Sequence, residues 1–344
     1  MTISLPRPLD TVRWNPSNPR GAVESWFLKA NDPADPKRAF WLKFTLLVAP
    51  EAERRTRPPL AEVWAIRFDG DKLHRAGKGT FLASESTLGS DAFDVRVGPC
   101  QLGPGTVRGE VGEGASRLSF DLTFEYGPEG GQVPMFGFPH TWMYEGGWPK
   151  SKLYTSCPRT RFRGRVTAGD EVWEIKDWIG MLGHNWGRAH APAYHWVQCA
   201  MFAGDDGAED AVFEGYSGKI PLGPFLSPWL SGGTLRFRGE EIALNRLGGL
   251  LGNRVEAGLY HWSCVLKGGP WRVVCRVEAP RQDFVGLRYF NPDGTENHCL
   301  NSKIATLTLE LEQGGKRVAN LRGERSCAYE ILTRRHDHGV TVLA

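Results

Sequence analysis

The chain has 344 residues, and its 42 Lys and Arg against 39 Asp and Glu leave a net charge of +3. That length suggests two domains at about 150 residues each, and the near balance removes the electrostatic case for a nucleic-acid partner. The unusual counts are 42 Gly, 23 Pro and 13 Trp, which describe a chain that turns often and has many large aromatics to bury.

No run approaches the ~20 apolar residues of a membrane-spanning helix, and the start of the chain lacks the apolar stretch of a secretory signal. Seven widely spaced cysteines without a C-x-x-C pair read as reduced, mostly buried thiols of a cytoplasmic protein. Nothing excludes peripheral membrane contact: the short basic runs Arg54-Arg55-Thr56-Arg57 and Arg334-Arg335 read as solvated loops, with contact to anionic lipid as the alternative.

Alternation of apolar and polar residues with a period of two dominates, the pattern of half-buried strands. It runs through Phe40, Leu42, Phe44, Leu46 and Val48, then 61–68, then Leu118, Phe120, Leu122, Phe124 and Tyr126. Further strands are predicted over 161–166, 171–177, 193–202, 211–216, 233–238, 271–278, 304–312 and 327–333. Turn chemistry separates them, as at Asp69-Gly70-Asp71, Asp205-Asp206-Gly207 and Asn291-Pro292-Asp293-Gly294. The segments 32–39 and 50–57 read as loops with at most one helical turn. Short strands at regular spacing imply an all-β protein of barrels or sandwiches.

A weak internal repeat supports two such units. Glu24-Ser25-Trp26, the strand from Phe40 and Ala61-Glu62-Val63-Trp64 are echoed by His184-Asn185-Trp186, Tyr194-His195-Trp196-Val197-Gln198 and Ala211-Val212-Phe213-Glu214. The offset, roughly 160 residues, is the length of one eight-stranded barrel. The expected domains are therefore two β-barrels, 1–168 and 169–344.

The stretch from Gly180 to Cys199 is the richest in chemistry. If Tyr194, Trp196 and Gln198 share one strand face, that face joins apolar area to one polar group, as a pocket for a largely hydrocarbon ligand requires. His184 and Trp186 project together from a short strand ending at Gly187, although a core histidine packed on tryptophans has the same spacing. Trp142, within Pro139-His140-Thr141-Trp142-Met143-Tyr144-Glu145, either lines a pocket mouth or packs a loop. His336-Asp337-His338 lacks a third ligand at a recognisable spacing and reads as an exposed tail, so no metal is expected. No other cofactor is expected either.

Gly183-His184-Asn185-Trp186-Gly187, leading to Trp196-Val197-Gln198-Cys199, resembles the E-K-N-W-G…W-x-W-x-Q-C stretch of tocopherol cyclases. It is also similar to the M-D-H-Q-W-G motif of the carotenoid 1,2-hydratase family of lipocalin-like proteins. Val23-Glu24-Ser25-Trp26-Phe27 resembles the F-E-G-W-Y stretch near the N-terminus of the cyclases. The resemblance implies two lipocalin-like barrels around a pocket for isoprenoid or other apolar ligands. It also implies a cofactor-independent cyclase or hydratase, in which an acid protonates a carbon–carbon double bond and aromatic faces hold the cation.

Glu24 is the first candidate acid, with Asp177, Glu214 and His184 as alternatives. Trp26, Trp142, Asn185, Trp186, Tyr194, Trp196 and Gln198 are the expected substrate contacts. Two departures bear on the reaction: Gly183 stands where the hydratase motif has Asp, and Gly183-His184 where the cyclase motif has Glu-Lys. A non-catalytic carrier of an apolar small molecule and a pericyclase, polarising its substrate through Gln198 or Asn185, are the alternatives.

Overall fold

The computed structural model describes residues 10–250 and 252–344. Its strands form two large antiparallel sheets, as expected for an all-β chain. The first sheet runs, strand by strand, Arg75–Leu82, Leu60–Asp69, Arg38–Val48, Ala22–Asn31, Glu171–Gly187, Ser151–Ala168, Leu118–Phe124 and Thr106–Val111, then three short strands between Thr87 and Gly103. The second runs Glu240–Ala243, Leu230–Phe237, Val212–Lys219, Ala193–Cys199, Lys316–Thr333, Glu296–Gln313, Trp271–Glu278, His261–Gly268 and Arg254–Ala257.

Each sheet curls around its own core because one face of its strands is continuously apolar. Phe40, Leu42 and Phe44 meet Val95, Leu102 and Val107 from the far end of the same sheet. Val197, Phe213, Leu235, Val273 and Leu309 do the same in the second. The opposite faces then pack on each other. Phe27 and Met181 meet Trp196 and Ala328, while Trp41, Trp64 and Phe68 meet Leu287, Tyr289 and Leu332. Strands near this junction are therefore buried on both faces; every residue of Ala22–Asn31 after Ala22 is buried.

The two sheets share one strand order, so the internal repeat exists, but in a different alignment from the expected one. The first strand of each half lies beside its last: Ala22–Asn31 beside Glu171–Gly187, and Ala193–Cys199 beside Lys316–Thr333. Glu24-Ser25-Trp26 and His184-Asn185-Trp186 are not equivalents but antiparallel neighbours, with Trp26 opposite His184 and Ser25 opposite Asn185. They look alike because both present alternate residues to the same barrel interior. The chain passes between sheets at 188–192. Residue 168, the expected division, lies instead in a hairpin whose strands pair from Ala168 and Glu171 onward, closed by Gly169 in the left-handed region.

Several predicted strands are pieces of longer ones. The segments 161–166 and 171–177 belong to strands of 18 and 17 residues, and 304–312 and 327–333 to strands of 18 each. Bulges let such strands bend around the core. At one of them Gly164 has φ +129°, and a Cβ there would lie 2.1 Å from the Asp121 carbonyl oxygen. The segment 139–145 contains one helical turn, Trp142–Glu145. All seven cysteines are buried and free. Among the described residues no helix is long and apolar enough to cross a membrane.

Candidate functional site between the two sheets

A cavity of about 410 Å³ opens between the outer faces of the two sheets. The first sheet contributes Phe27, Trp41, Lys43 and Asn185, and the second contributes Tyr194, Trp196, Tyr216 and Glu330. The segments around Met143–Leu153, Ala189–Pro192 and Lys219–Pro221 complete its walls. Strand alternation explains the set: Phe40, Leu42 and Phe44 enter the barrel, so Trp41 and Lys43 must point out of it, toward the other sheet. Gly183 lies opposite Phe27, and a Cβ there would come within 2.5 Å of the Phe27 ring. The glycine at this position thus seats an aromatic of the cavity wall.

The buried end of the cavity carries opposed charges. Glu330 is 8% exposed, and its Oε1 accepts hydrogen bonds from Lys303 Nζ at 2.8 Å and Asn301 Nδ2 at 3.1 Å. Its Oε2 lies 3.5 Å from the Tyr194 hydroxyl and 3.8 Å from Cys299 Sγ. Burial holds Lys303 below the ordinary lysine value, against the opposing pull of Glu330. Burial, then Cys299 and Glu330, pushes the Tyr194 hydroxyl well above its ordinary value.

Lys43 is 4% exposed, and burial lowers its ammonium to about 8 even though Glu330 favours the charge. The ammonium sits 3.8 Å from the centre of the Tyr289 ring. His190 stacks on that ring and is pushed down to about 3 by burial and by Lys43, so it is neutral at pH 7. His195, 2.9 Å from the Tyr329 hydroxyl through Nδ1, is likewise held near 3 by burial.

Of the residues singled out from the sequence, Asn185, Tyr194 and Trp196 line this cavity. Glu24, His184, Trp26 and Trp186 come together elsewhere, inside the first curled sheet and off the cavity wall. Glu24 Oε1 lies 2.9 Å from His184 Nε2, and the two carboxylate oxygens accept the backbone N–H groups of Arg13 (2.7 Å) and Trp14 (2.8 Å). The His184 ring stacks between Trp26 and Trp186, with centroids 4.7 and 4.8 Å away.

Glu214 is buried between the sheets behind the cavity wall. It accepts from Trp196 Nε1 at 2.9 Å and from the Thr155 hydroxyl, and burial raises it to about 7. Gln198 is buried deeper, donating to the Pro158 carbonyl at 2.9 Å. Asp177 does not join any of these groups: it sits at φ +56° on a bulged strand, half exposed and paired with Arg163. Trp142 is half exposed and stacks on Trp148, which does line the cavity.

The sequence reading missed Glu330, Lys43 and Lys303. Lys43 and Glu330 lie on predicted strands and Lys303 just before one, but a charged residue on a half-buried strand carries no sign that a second sheet covers it. The C-terminal tail also differs from expectation. His336 and Asp337 are exposed, whereas His338 is buried with Nε2 2.7 Å from His298 Nδ1. Ligand atoms of Glu296, His298 and His336 lie within 4.8 Å of one another, the one such group among the described residues that could hold a metal ion. His298 Nε2 already meets Glu296 at 3.1 Å, and His338 Nδ1 accepts from the Val340 N–H. Its nitrogens are thus satisfied by protein partners.

No family model matches the chain. Two uncharacterized proteins of Mycobacterium tuberculosis, MT0513 of strain CDC 1551 / Oshkosh and Rv0493c of strain ATCC 25618 / H37Rv, are each 24% identical over 302 residues. Each match spans 86% of this chain and 82% of the relative. Among solved structures, a Nitrosomonas europaea protein provisionally described as AttH superposes with a TM-score of 0.54 at 12% identity, over 90% of this chain and 92% of its own. Kievitone hydratase from Nectria haematococca gives 0.52 at 12% identity, over 92% and 89%. At such identities these likenesses establish the fold alone, and that fold is all-β and lipocalin-like.

Proposed function

We propose that the chain is a hydratase-type lyase, adding water to, or removing it from, a carbon–carbon double bond of an apolar small molecule held between the two sheets. The observation that carries this reading is Glu330, a buried carboxylate in an aromatic cavity with one oxygen saturated and the other facing only weak partners. The structural likeness to kievitone hydratase supports a reaction of this class.

Lys303 and Asn301 fix the carboxylate through Oε1, leaving Oε2 to exchange a proton. A water held against Oε2 gives its proton to Glu330 as its oxygen bonds to one alkene carbon. The π electrons move to the neighbouring carbon or to an oxygen conjugated with it. Glu330 then returns the proton to that carbon, so one water is added and the carboxylate is restored. Lys43 and Lys303 at this end oppose a free carbocation and favour developing negative charge. An alkene conjugated to a carbonyl therefore suits the site better than an isolated isoprenoid double bond. Trp41, Trp196 and Tyr216 hold the apolar body and exclude bulk water.

Incubation with a panel of apolar enones and alkenes in ¹⁸O-labelled water is expected to place the label in a product. Glu330→Gln is expected to lower turnover by about 10²-fold or more, while ligand quenching of tryptophan emission persists. Absence of label from every substrate, or a folded Glu330→Gln protein as active as the parent, overturns the reading. Binding without label is the behaviour of the carrier alternative.

A further inference from the structure

Four lysines are buried among the described residues: Lys29, Lys43, Lys152 and Lys303. A buried ammonium needs acceptors, since leaving one unmet costs more than most single contacts return. Three have them. Lys29 donates to Asn31 Oδ1 at 3.2 Å and the Ser326 carbonyl at 3.3 Å. Lys152 donates to the Pro149 carbonyl at 2.7 Å. Lys303 donates to Asn301 Oδ1 at 2.6 Å and to Glu330.

Lys43 is the exception. Among the described residues its ammonium donates to no acceptor oxygen; it sits over the face of Tyr289, with the Glu330 and Glu62 carboxylates near enough to favour its charge but not to bond it. It also lines the cavity between the sheets, which Lys29 and Lys303 do not.

The charge of the cavity points the same way. Its described lining carries Lys43, Lys150, Lys152, Lys219 and Arg334 against Glu330 and Asp293. Glu330 is already paired with Lys303, and Asp293 is held below its ordinary value, against burial, by hydrogen bonds from Thr295 and then by Arg334. His190 and His195 are neutral and add nothing to either side. The remaining cations project positive potential into a cleft whose walls are aromatic and apolar. A volume of about 410 Å³ fits a small molecule with one long apolar portion.

We infer that the cavity takes an amphipathic acid: an apolar body against Phe27, Trp41 and Trp196, with one anionic oxygen group, carboxylate or phenolate, on the Lys43 ammonium. The inference rests on the cavity being the ligand site proposed above, and not on the proton chemistry of Glu330. The anion supplies the acceptor that the protein does not. A neutral ligand of the same shape offers Lys43 at most an uncharged acceptor and binds less tightly for that reason.

The test uses dodecanoate, dodecan-1-ol and a 4-alkyl-2,6-dinitrophenol ionised at neutral pH, with binding read from tryptophan quenching and calorimetry. Dodecanoate or the dinitrophenolate is expected to bind about tenfold or more tighter than dodecanol, the scale of one charge-assisted hydrogen bond. Which of the two binds tighter identifies the head group. Lys43→Met is expected to abolish the preference while keeping dodecanol binding, and Lys43→Arg to retain it. Equal affinity of the native protein for anion and alcohol overturns the inference and leaves the cavity as a ligand site. A preference that survives Lys43→Met overturns the role of Lys43. If neither anion nor alcohol binds, the site proposed for catalysis falls as well, and this inference with it.

Discussion

The Glu24 carboxylate takes two backbone N–H groups, from Arg13 and Trp14, and meets Nε2 of His184. With all three partners in place it works as a tie between the segment before the first strand and the stacked Trp26–His184–Trp186 column. Glu24→Gln forces an amide NH₂ against one of those donors. It is expected to destabilise the fold by about 2–4 kcal/mol in urea unfolding, with turnover per folded molecule unchanged. A variant of native stability that loses activity would return Glu24 to the reacting centre. The sequence offered Glu24 and His184 as alternative proton donors, and the structure sets the two against each other. What it could not show is which side of the strand the ligand occupies, because aromatic neighbours accompany a barrel plug and a cavity wall alike.

At the level of the strand, alternation separates two faces but does not say what covers the second. Phe40, Leu42 and Phe44 marked one face of Arg38–Val48 as core, and the structure agrees. Trp41 and Lys43, on the other face, meet a second sheet instead of water. Lys303 and Glu330 were hidden for the same reason: a charged residue on an alternating strand is ordinarily solvated, and only the pairing of sheets overrides that. By contrast Tyr194 and Trp196, on the outward face of Ala193–Cys199, are aromatic residues that line the cavity.

Glu214 is the titrating consequence of such burial. Its folded-state value is raised from 4.5 to about 7, so between those two pH values the folded chain holds a proton that the unfolded chain has lost. Stability from this group therefore falls as pH rises from 4.5 to 7, by about 3 kcal/mol in total, and is level above. Glu214→Gln keeps an acceptor for Trp196 and removes the slope. Relative to the parent it should gain stability at pH 8 and gain little at pH 4.5, as measured by thermal unfolding across that range. A parallel pH dependence in both proteins would show that Glu214 ionises freely.

For the whole molecule, two units of like strand order were legible from repeated strand signals, but their alignment was not. Antiparallel neighbours in one sheet resemble each other because they share an interior, and with two short motifs that likeness mimics duplication. The position of the crossing was lost for a related reason: the two-residue turn at Gly169-Asp170 and the five-residue passage at 188–192 both interrupt the alternation, and only the pairing distinguishes them. Since Phe27, Trp41 and Lys43 come from one sheet and Tyr194, Trp196 and Glu330 from the other, no single sheet contains the cavity. A ligand there binds the assembled protein and neither unfolded chain nor separated sheets. By mass action, a ligand at 100 times its Kd should stabilise the fold by about 2.7 kcal/mol. The melting temperature of the intact chain should therefore rise with ligand concentration, and Lys43→Met should weaken the rise for a ligand seated in the cavity. The junction between the sheets thus makes the protein its own reporter, so a melting-point survey of small-molecule libraries can find its ligand before any reaction is known.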